Sequence, residues 1–179
     1  MASVGLADRA LSYGEAGVTA PGDAVWTAPA GRRAYERCVR VGHGDETWAQ
    51  ARAAFLCWGV KTRSGFAIEP ASGSDPGVRD GADYWLVAAV GPLRIREPAR
   101  VVGVVDRPDR CGFSYGTLEG HPVSGEEAFV LHRDGDGVVR LTLRSVTAPG
   151  AGRWRLAFPE VLVAQRWYRR RYARALAAG

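Results

Sequence analysis

The chain is poor in the residues that build most recognisable chemical sites. It has one lysine, Lys61, against a full complement of arginines, and only three histidines and three cysteines. With Lys61 far from any glycine-rich phosphate loop, a Walker-type nucleotide site is excluded. Gly42-His-Gly44 lacks the third glycine and the strand-helix-strand setting of a dinucleotide fingerprint, so no nucleotide cofactor is expected. His121 and His132 fall toward opposite ends of one expected strand, and His43 is remote from both in sequence. Asp134-Gly-Asp-Gly137 lacks the further ligands and closing glutamate of a calcium loop. No metal is expected.

Cys38, Cys57 and Cys111 contain no C-x-x-C pair, and reduced thiols in a cytoplasmic protein are the default expectation. The longest nearly apolar run, Tyr84 to Leu93, is well short of the roughly 18 residues of a spanning helix. Residues 1–14 carry no apolar segment behind a basic one, so neither a signal peptide nor a transmembrane segment is expected.

What is present is an ordinary globular balance, 46% hydrophobic and 24% charged, over 179 residues. That length fits an irregular N-terminal extension, residues 1–33, followed by one domain, residues 34–179. The net charge of +5 comes almost wholly from arginine, a skew that GC-rich coding also produces. Tyr35 to Val41 alternates with period two and predicts a strand; Asp45 or Thr47 is placed to cap a helix running to Trp58-Gly59. Phe66 to Glu69 is a short strand, followed by a loop rich in Pro, Gly, Ser and Asp through residue 81.

Period two then persists through Ala82–Val90, Leu93–Arg96, Arg100–Val105, Arg110–Leu118, Glu126–Arg133 and Val138–Val146, with a hairpin turn at Asp134 to Gly137. Leu93–Arg96 and Arg100–Val105 read as one bent strand or two. In the last strand Val139, Leu141 and Leu143 face one way and Arg140, Thr142 and Arg144 the other, one dry side and one wet. Residues 159–177, with Pro159 in the first turn, predict a helix about 28 Å long whose stripe of Val161, Leu162, Tyr168, Tyr172 and Leu176 covers the dry side.

This order defines the expected fold class: α+β, an antiparallel curved sheet of six or seven strands wrapped around a long C-terminal helix. It is the helix-grip arrangement, similar to START and Bet v 1-like proteins. Small residues at Ala88, Ala89, Gly91 and Gly103 leave volume or permit bending.

Gly112-Phe-Ser-Tyr-Gly116 satisfies the G-x-S-x-G pattern of a hydrolase nucleophile elbow. That elbow requires a strand-to-helix turn, whereas Phe113 and Tyr115 continue a strand, so Ser114 reads as an outward strand residue.

Arg110 to Gly116 and the following stretch from Gly116 to Phe129 resemble the signature of the uncharacterised UPF-type family built on domain of unknown function nineteen-ninety. The resemblance runs from about Tyr13 to Leu176. It includes the region from Arg37 to Gly44, the helix ending at Trp58, the Gly-Pro-Leu-Arg turn at 91–94 and the closing Arg-Arg-Tyr-x-x-Ala-Leu at 170–176. The segments 21–30 and 148–158 depart from the pattern. The resemblance implies little biochemistry, so chemistry is sought in the residues.

Glu127 shares strand parity with Phe129 and Leu131, so its carboxylate is expected on the dry side, where burial would raise its pKa. With His121 and Tyr115 it forms the candidate catalytic trio. The simpler reading of the same stretch is a structured hairpin in which Glu126 or Glu127 bonds loop amides.

A pocket for a hydrophobic or aromatic small molecule is expected between sheet and helix. Its lining is drawn from Trp58, Trp85 and Val87, from Phe113, Tyr115, Phe129, Leu141 and Leu143, and from Leu162, Gln165, Tyr168 and Tyr172 of the last helix. Plain core packing is the alternative for each. Arg166, Arg170 and Arg174 are anion-binding candidates, interleaved with Trp167 and tyrosines as on proteins that bind phosphate backbones or lie on anionic membranes. The simpler reading is a solvated face, and no nucleic-acid partner is expected. Three functions follow in order: a ligand-binding domain, a cofactor-independent acid-base enzyme of cyclase, dehydratase or isomerase type using the same pocket, and an interaction or membrane-surface protein.

Overall fold

A computed structural model describes residues 5–71, 77–90 and 93–176. Gly91 and Pro92 of the expected turn, residues 72–76 of the expected loop and residue 177 of the expected helix lie outside the described residues.

The chain runs β1 (Arg33–His43), α1 (Gly44–Leu56), α2 (Gly59–Thr62), β2 (Phe66–Pro70), β3 (Asp83–Val90), β4 (Leu93–Asp106), β5 (Arg110–Thr117), β6 (Val123–Arg133), β7 (Val138–Pro149), α3 (Arg153–Leu156) and α4 (Phe158–Tyr172). Seven antiparallel strands form one sheet in the order β1-β7-β6-β5-β4-β3-β2. The first strand therefore lies at one edge and the second at the other, and the α1–α2 pair makes the crossing. Leu93–Arg96 and Arg100–Val105 belong to a single strand, β4, whose register slips between Val101 and Gly103. Such a bulge bends a strand and strengthens its twist.

Neither Asp45 nor Thr47 caps α1: His43 holds that position without a side-chain bond, and Thr47 donates back to the His43 carbonyl at 2.8 Å. Trp58, between α1 and α2, takes a left-handed backbone with φ of 58°. A bulky side chain in that region costs energy and persists where packing over-determines it. The indole is fully buried against Tyr84 and Phe113, with ring centroids 4.9 Å apart in each case.

The concave face holds the core. Tyr84, Leu86, Phe113, Phe129, Leu141 and Leu143 pack there against Trp48 and Phe55 of α1 and Tyr168 and Tyr172 of α4. In β7 the expected dry side is dry, with Val139, Leu141 and Leu143 all in the core. Its expected wet side is not wet: Thr142 and Arg144 are both buried. The residues before β1 explain the burial of Arg144, because they fold back over the convex face.

Arg144 donates to the carbonyls of Ala20 at 2.6 Å and Asp23 at 3.1 Å and pairs with Glu36 at 2.9 Å. Glu126, also on the convex face, accepts from the Tyr13 hydroxyl, the Gly17 and Thr19 amides and the Thr19 hydroxyl. The glycines flanking Ser114 make room for this segment. A Cβ on Gly112 would stand 3.2 Å from Cβ of Pro21, and one on Gly116 only 2.2 Å from the Tyr13 hydroxyl. Ser114 itself points to the convex side and is fully buried rather than exposed. The serine motif is thus a seat for the N-terminal segment.

Candidate functional site

Tyr115 and Glu127 sit directly opposite each other on β5 and β6, and both project from the concave face. The tyrosine hydroxyl donates to the glutamate Oε2. The left-handed Trp58 turns the chain into α2 so that Lys61 reaches beneath the same strands. Its Nζ lies 3.0 Å from Glu127 Oε2 and donates to the Tyr172 hydroxyl at 2.8 Å, which ties α2 to α4. Lys61 is only 2% exposed, and four rings surround its ammonium: Phe66 at 4.5 Å, Tyr172 at 4.7 Å, Tyr115 at 4.8 Å and Phe129 at 5.7 Å. A desolvated cation above ring faces gains from their quadrupoles as well as from the carboxylate.

This pairing corrects the expectation for Glu127. Burial does push its carboxyl upward, but the Lys61 charge, the hydrogen bonds from Tyr115 and Lys61, and nearby Arg169 together hold it below its ordinary value. It is a fixed carboxylate. The carboxyl that rises is Glu97, on β4 opposite Leu86 and hence on the concave face. Burial pushes it up to about 7, opposed by Lys61 and assisted by the negative charge of Glu127.

His121, in the turn before β6, accepts the Val123 amide at Nδ1 at 3.0 Å, so its proton resides on Nε2. Burial, then the Lys61 charge, bring its pKa down to about 3, so the ring is neutral near pH 7. Nε2 is 3.7 Å from Glu97 Oε2 and forms no hydrogen bond among the described residues.

These groups share a cavity of about 100 Å³ between sheet and α4. Of the expected lining, Tyr115, Gln165, Tyr168 and Tyr172 form its wall, together with Glu127 and His121 of the expected trio. Trp58, Phe113, Phe129, Leu141 and Leu143 instead fill the adjacent solid core, and Leu162 is half-buried on α4 outside the wall.

Trp85 and Val87 are on the wrong face. Tyr84, Leu86 and Ala88 point inward, and the Trp85 ring packs between the guanidinium groups of Arg9 and Arg96, 5.0 and 4.6 Å from its centroid. Arg166, Arg170 and Arg174 are exposed and take no part in the cavity.

The reading from residues missed Lys61, Glu97 and Phe66. A signal existed for two of them: Lys61 is the one lysine among arginines, and Glu97 is the single acid in the same-parity series Ile95, Glu97, Ala99, Val101. Among the described residues no three His, Cys, Asp or Glu side chains are grouped to hold a metal ion, and no helix is long and apolar enough to cross a membrane.

Sheet, grip helix and the cavity between them define a helix-grip fold of the Bet v 1-like kind. Residues 12–175 match the family described as Domain of unknown function (DUF1990), and the chain belongs to that family. It is 39% identical over 178 residues to the UPF0548 protein of Deinococcus radiodurans, covering 94% of this chain and 87% of that one. Among solved structures it is similar to a hypothetical protein of Helicobacter pylori, with a TM-score of 0.59 at 10% identity over 80% of this chain and 84% of that one. It is also similar to Ara h 8.0201, with a TM-score of 0.50 at 11% identity over 82% of this chain and 98% of that one. At such identities the likeness is one of fold.

The two shifted groups make opposite contributions to stability. Glu97, raised from 4.5 to about 7, contributes stability that is full below pH 4.5 and lost as pH rises through 7. His121, lowered from 6.5 to about 3, contributes stability that is full above pH 6.5 and lost as pH falls through 3. Glu97→Gln removes only the first. By urea denaturation the variant should gain on the parent by about 2–3 kcal/mol between pH 5 and pH 8. An unchanged difference across that range, or a Glu97 carboxyl titrating near 4.5 by NMR, contradicts the assignment.

Proposed function

We propose that the domain binds a small amphiphilic molecule between the sheet and α4. One observation carries this reading: two buried polar atoms in the cavity wall, Nε2–H of His121 and Oε1 of Gln165, have no hydrogen-bond partner among the described residues. Buried polar groups are rarely left unpaired, because each costs about 1–3 kcal/mol. One is a donor and the other an acceptor, the two capacities that a hydroxyl group offers. Phe66, Ile95, Val161 and Tyr168 supply apolar wall for the remainder of the molecule.

The volume bounds what fits. A cavity of about 150 Å³ holds benzene, and about 100 Å³ takes a smaller group unless the wall yields. Ile95, Glu97, Glu127, Trp154, Val161, Ala164 and Gln165 are the partly exposed wall residues; all but Glu127 lie on β4 or the α3–α4 segment, which supports a mouth between those two. A larger ligand would extend through it.

The test is native mass spectrometry of protein purified from its source, with an NMR titration of the emptied protein by benzyl alcohol. A retained small molecule and saturable shifts at the His121 ring and Gln165 amide are expected, both lost in Ala164→Trp, which fills the cavity. Absence of any retained molecule together with absence of saturable shifts contradicts the reading.

Glu97 favours a second reading, acid-base catalysis in the same cavity. A carboxyl poised near neutrality beside a neutral imidazole N–H is suited to removing a proton next to a carbonyl whose oxygen accepts from His121. The catalytic base would then be Glu97, with Glu127 a fixed charge. Solvent deuterium exchange at the α-carbon of phenylacetone should be accelerated by the parent, rise between pH 6 and 8, and vanish in Glu97→Gln. Equal exchange by parent and variant rejects this reading.

A further inference from the structure

The surface of α3 and α4 turned away from the sheet carries a feature that the cavity does not use. Residues 153–174 contain seven arginines against a single acid, Glu160. The chain as a whole is +5, so everything outside this segment is net acidic by one charge. GC-rich coding explains arginine in place of lysine, but not the gathering of the whole net positive excess in one segment.

Six of the seven, Arg153, Arg155, Arg166, Arg170, Arg171 and Arg174, are exposed, and none has a carboxylate partner among the described residues. Arg169 alone turns inward, where it stacks on Tyr35 at 4.0 Å and donates to Ser145.

Three large apolar side chains stand among these charges: Leu156 is 86% exposed, Val163 65% and Trp167 49%. On α4 the positions 163, 167 and 170 recur at three- and four-residue spacing and so share one face, and Arg174 follows four residues on, in the turn beyond the helix. The opposite face carries Tyr168 and Tyr172 into the core. The outward face therefore carries an apolar ridge, Val163 and Trp167, continued and flanked by arginines.

We propose that this face docks on an anionic membrane surface, with Val163, Trp167 and Leu156 entering the boundary between headgroups and acyl chains and the arginines meeting lipid phosphates. Amphipathic helices that lie in the interface combine these two features, and tryptophan favours that depth. A nucleic acid would satisfy the charge but not the ridge. Leu156 and Val163 have no ring to stack on a base, and Trp167 is already covered by Arg171 at 4.6 Å and abutted by Tyr168 at 4.7 Å. Docking also brings the partly exposed cavity wall formed by Trp154 and Val161 to lipid level, although it does not require the cavity to be occupied.

The experiment is co-sedimentation of the full chain with phosphatidylcholine vesicles, with and without phosphatidylglycerol, at low and high salt. Binding to the phosphatidylglycerol vesicles should be at least tenfold tighter than to pure phosphatidylcholine and should weaken with salt. The triple change Arg166→Gln, Arg170→Gln, Arg174→Gln should reduce it at least tenfold. The pair Val163→Ser, Trp167→Ser should reduce it severalfold while retaining the circular dichroism of the parent. Failure to bind anionic vesicles overturns the proposal. So does undiminished binding by the Val163→Ser, Trp167→Ser pair, or capture by a DNA duplex in preference to the vesicles, which would mark a surface selected for charge alone.

Discussion

The arrangement depends on one buried ammonium. Lys61 bonds Glu127 and Tyr172 while Tyr115 bonds the same carboxylate, so four side chains from α2, β5, β6 and α4 meet at one charge pair. Burying two ions is expensive, and the cost is recovered only where geometry and additional hydrogen bonds satisfy them. Here the tyrosines and the surrounding rings serve that purpose. The same cluster forms part of the cavity wall. Its charges also set the titration of their neighbours: Lys61 restrains the rise of Glu97 and further depresses His121, and Glu127 lifts Glu97.

A sheet that holds a cavity on its concave face must be supported from behind. The N-terminal segment gives that support through two buried ionic residues, Glu126 and Arg144, whose partners are largely main-chain groups of residues 17–24. Because backbone groups make those bonds, the segment needs neither helix nor strand to be held. The small outward residues of β5 let it approach closely. The Gly-x-Ser-x-Gly pattern thus serves packing, with the aromatic residues between its small ones forming part of the core on the other side.

The sheet and grip helix were legible wherever hydrophobic alternation was clean, as in β7, where Val139, Leu141 and Leu143 face inward as expected. Parity failed in β3 because Tyr84 to Val90 is apolar on both sides, and such a run does not say which face is which. That ambiguity moved Trp85 and Val87 to the wrong side. The position of Glu127 was legible from its spacing to Phe129, but its ionisation was not, because the deciding partner is Lys61, 66 positions earlier in the chain. The covered convex face was illegible for a related reason: carbonyls of an irregular segment leave no pattern in side-chain order. Charge clustering near the C-terminus was visible, whereas which arginine turns inward depends on the position of Tyr35 and Ser145.

The most direct test of the central ion pair is a double-mutant cycle on Lys61 and Glu127, read by urea denaturation at pH 7. Lys61→Met alone strands a buried carboxylate and is expected to cost about 3–5 kcal/mol. Combined with Glu127→Gln, the total loss should fall short of the sum of the two single losses by more than about 1 kcal/mol, an interaction energy typical of directly coupled groups. Strictly additive losses would mean that the pair does not hold α2 to the sheet.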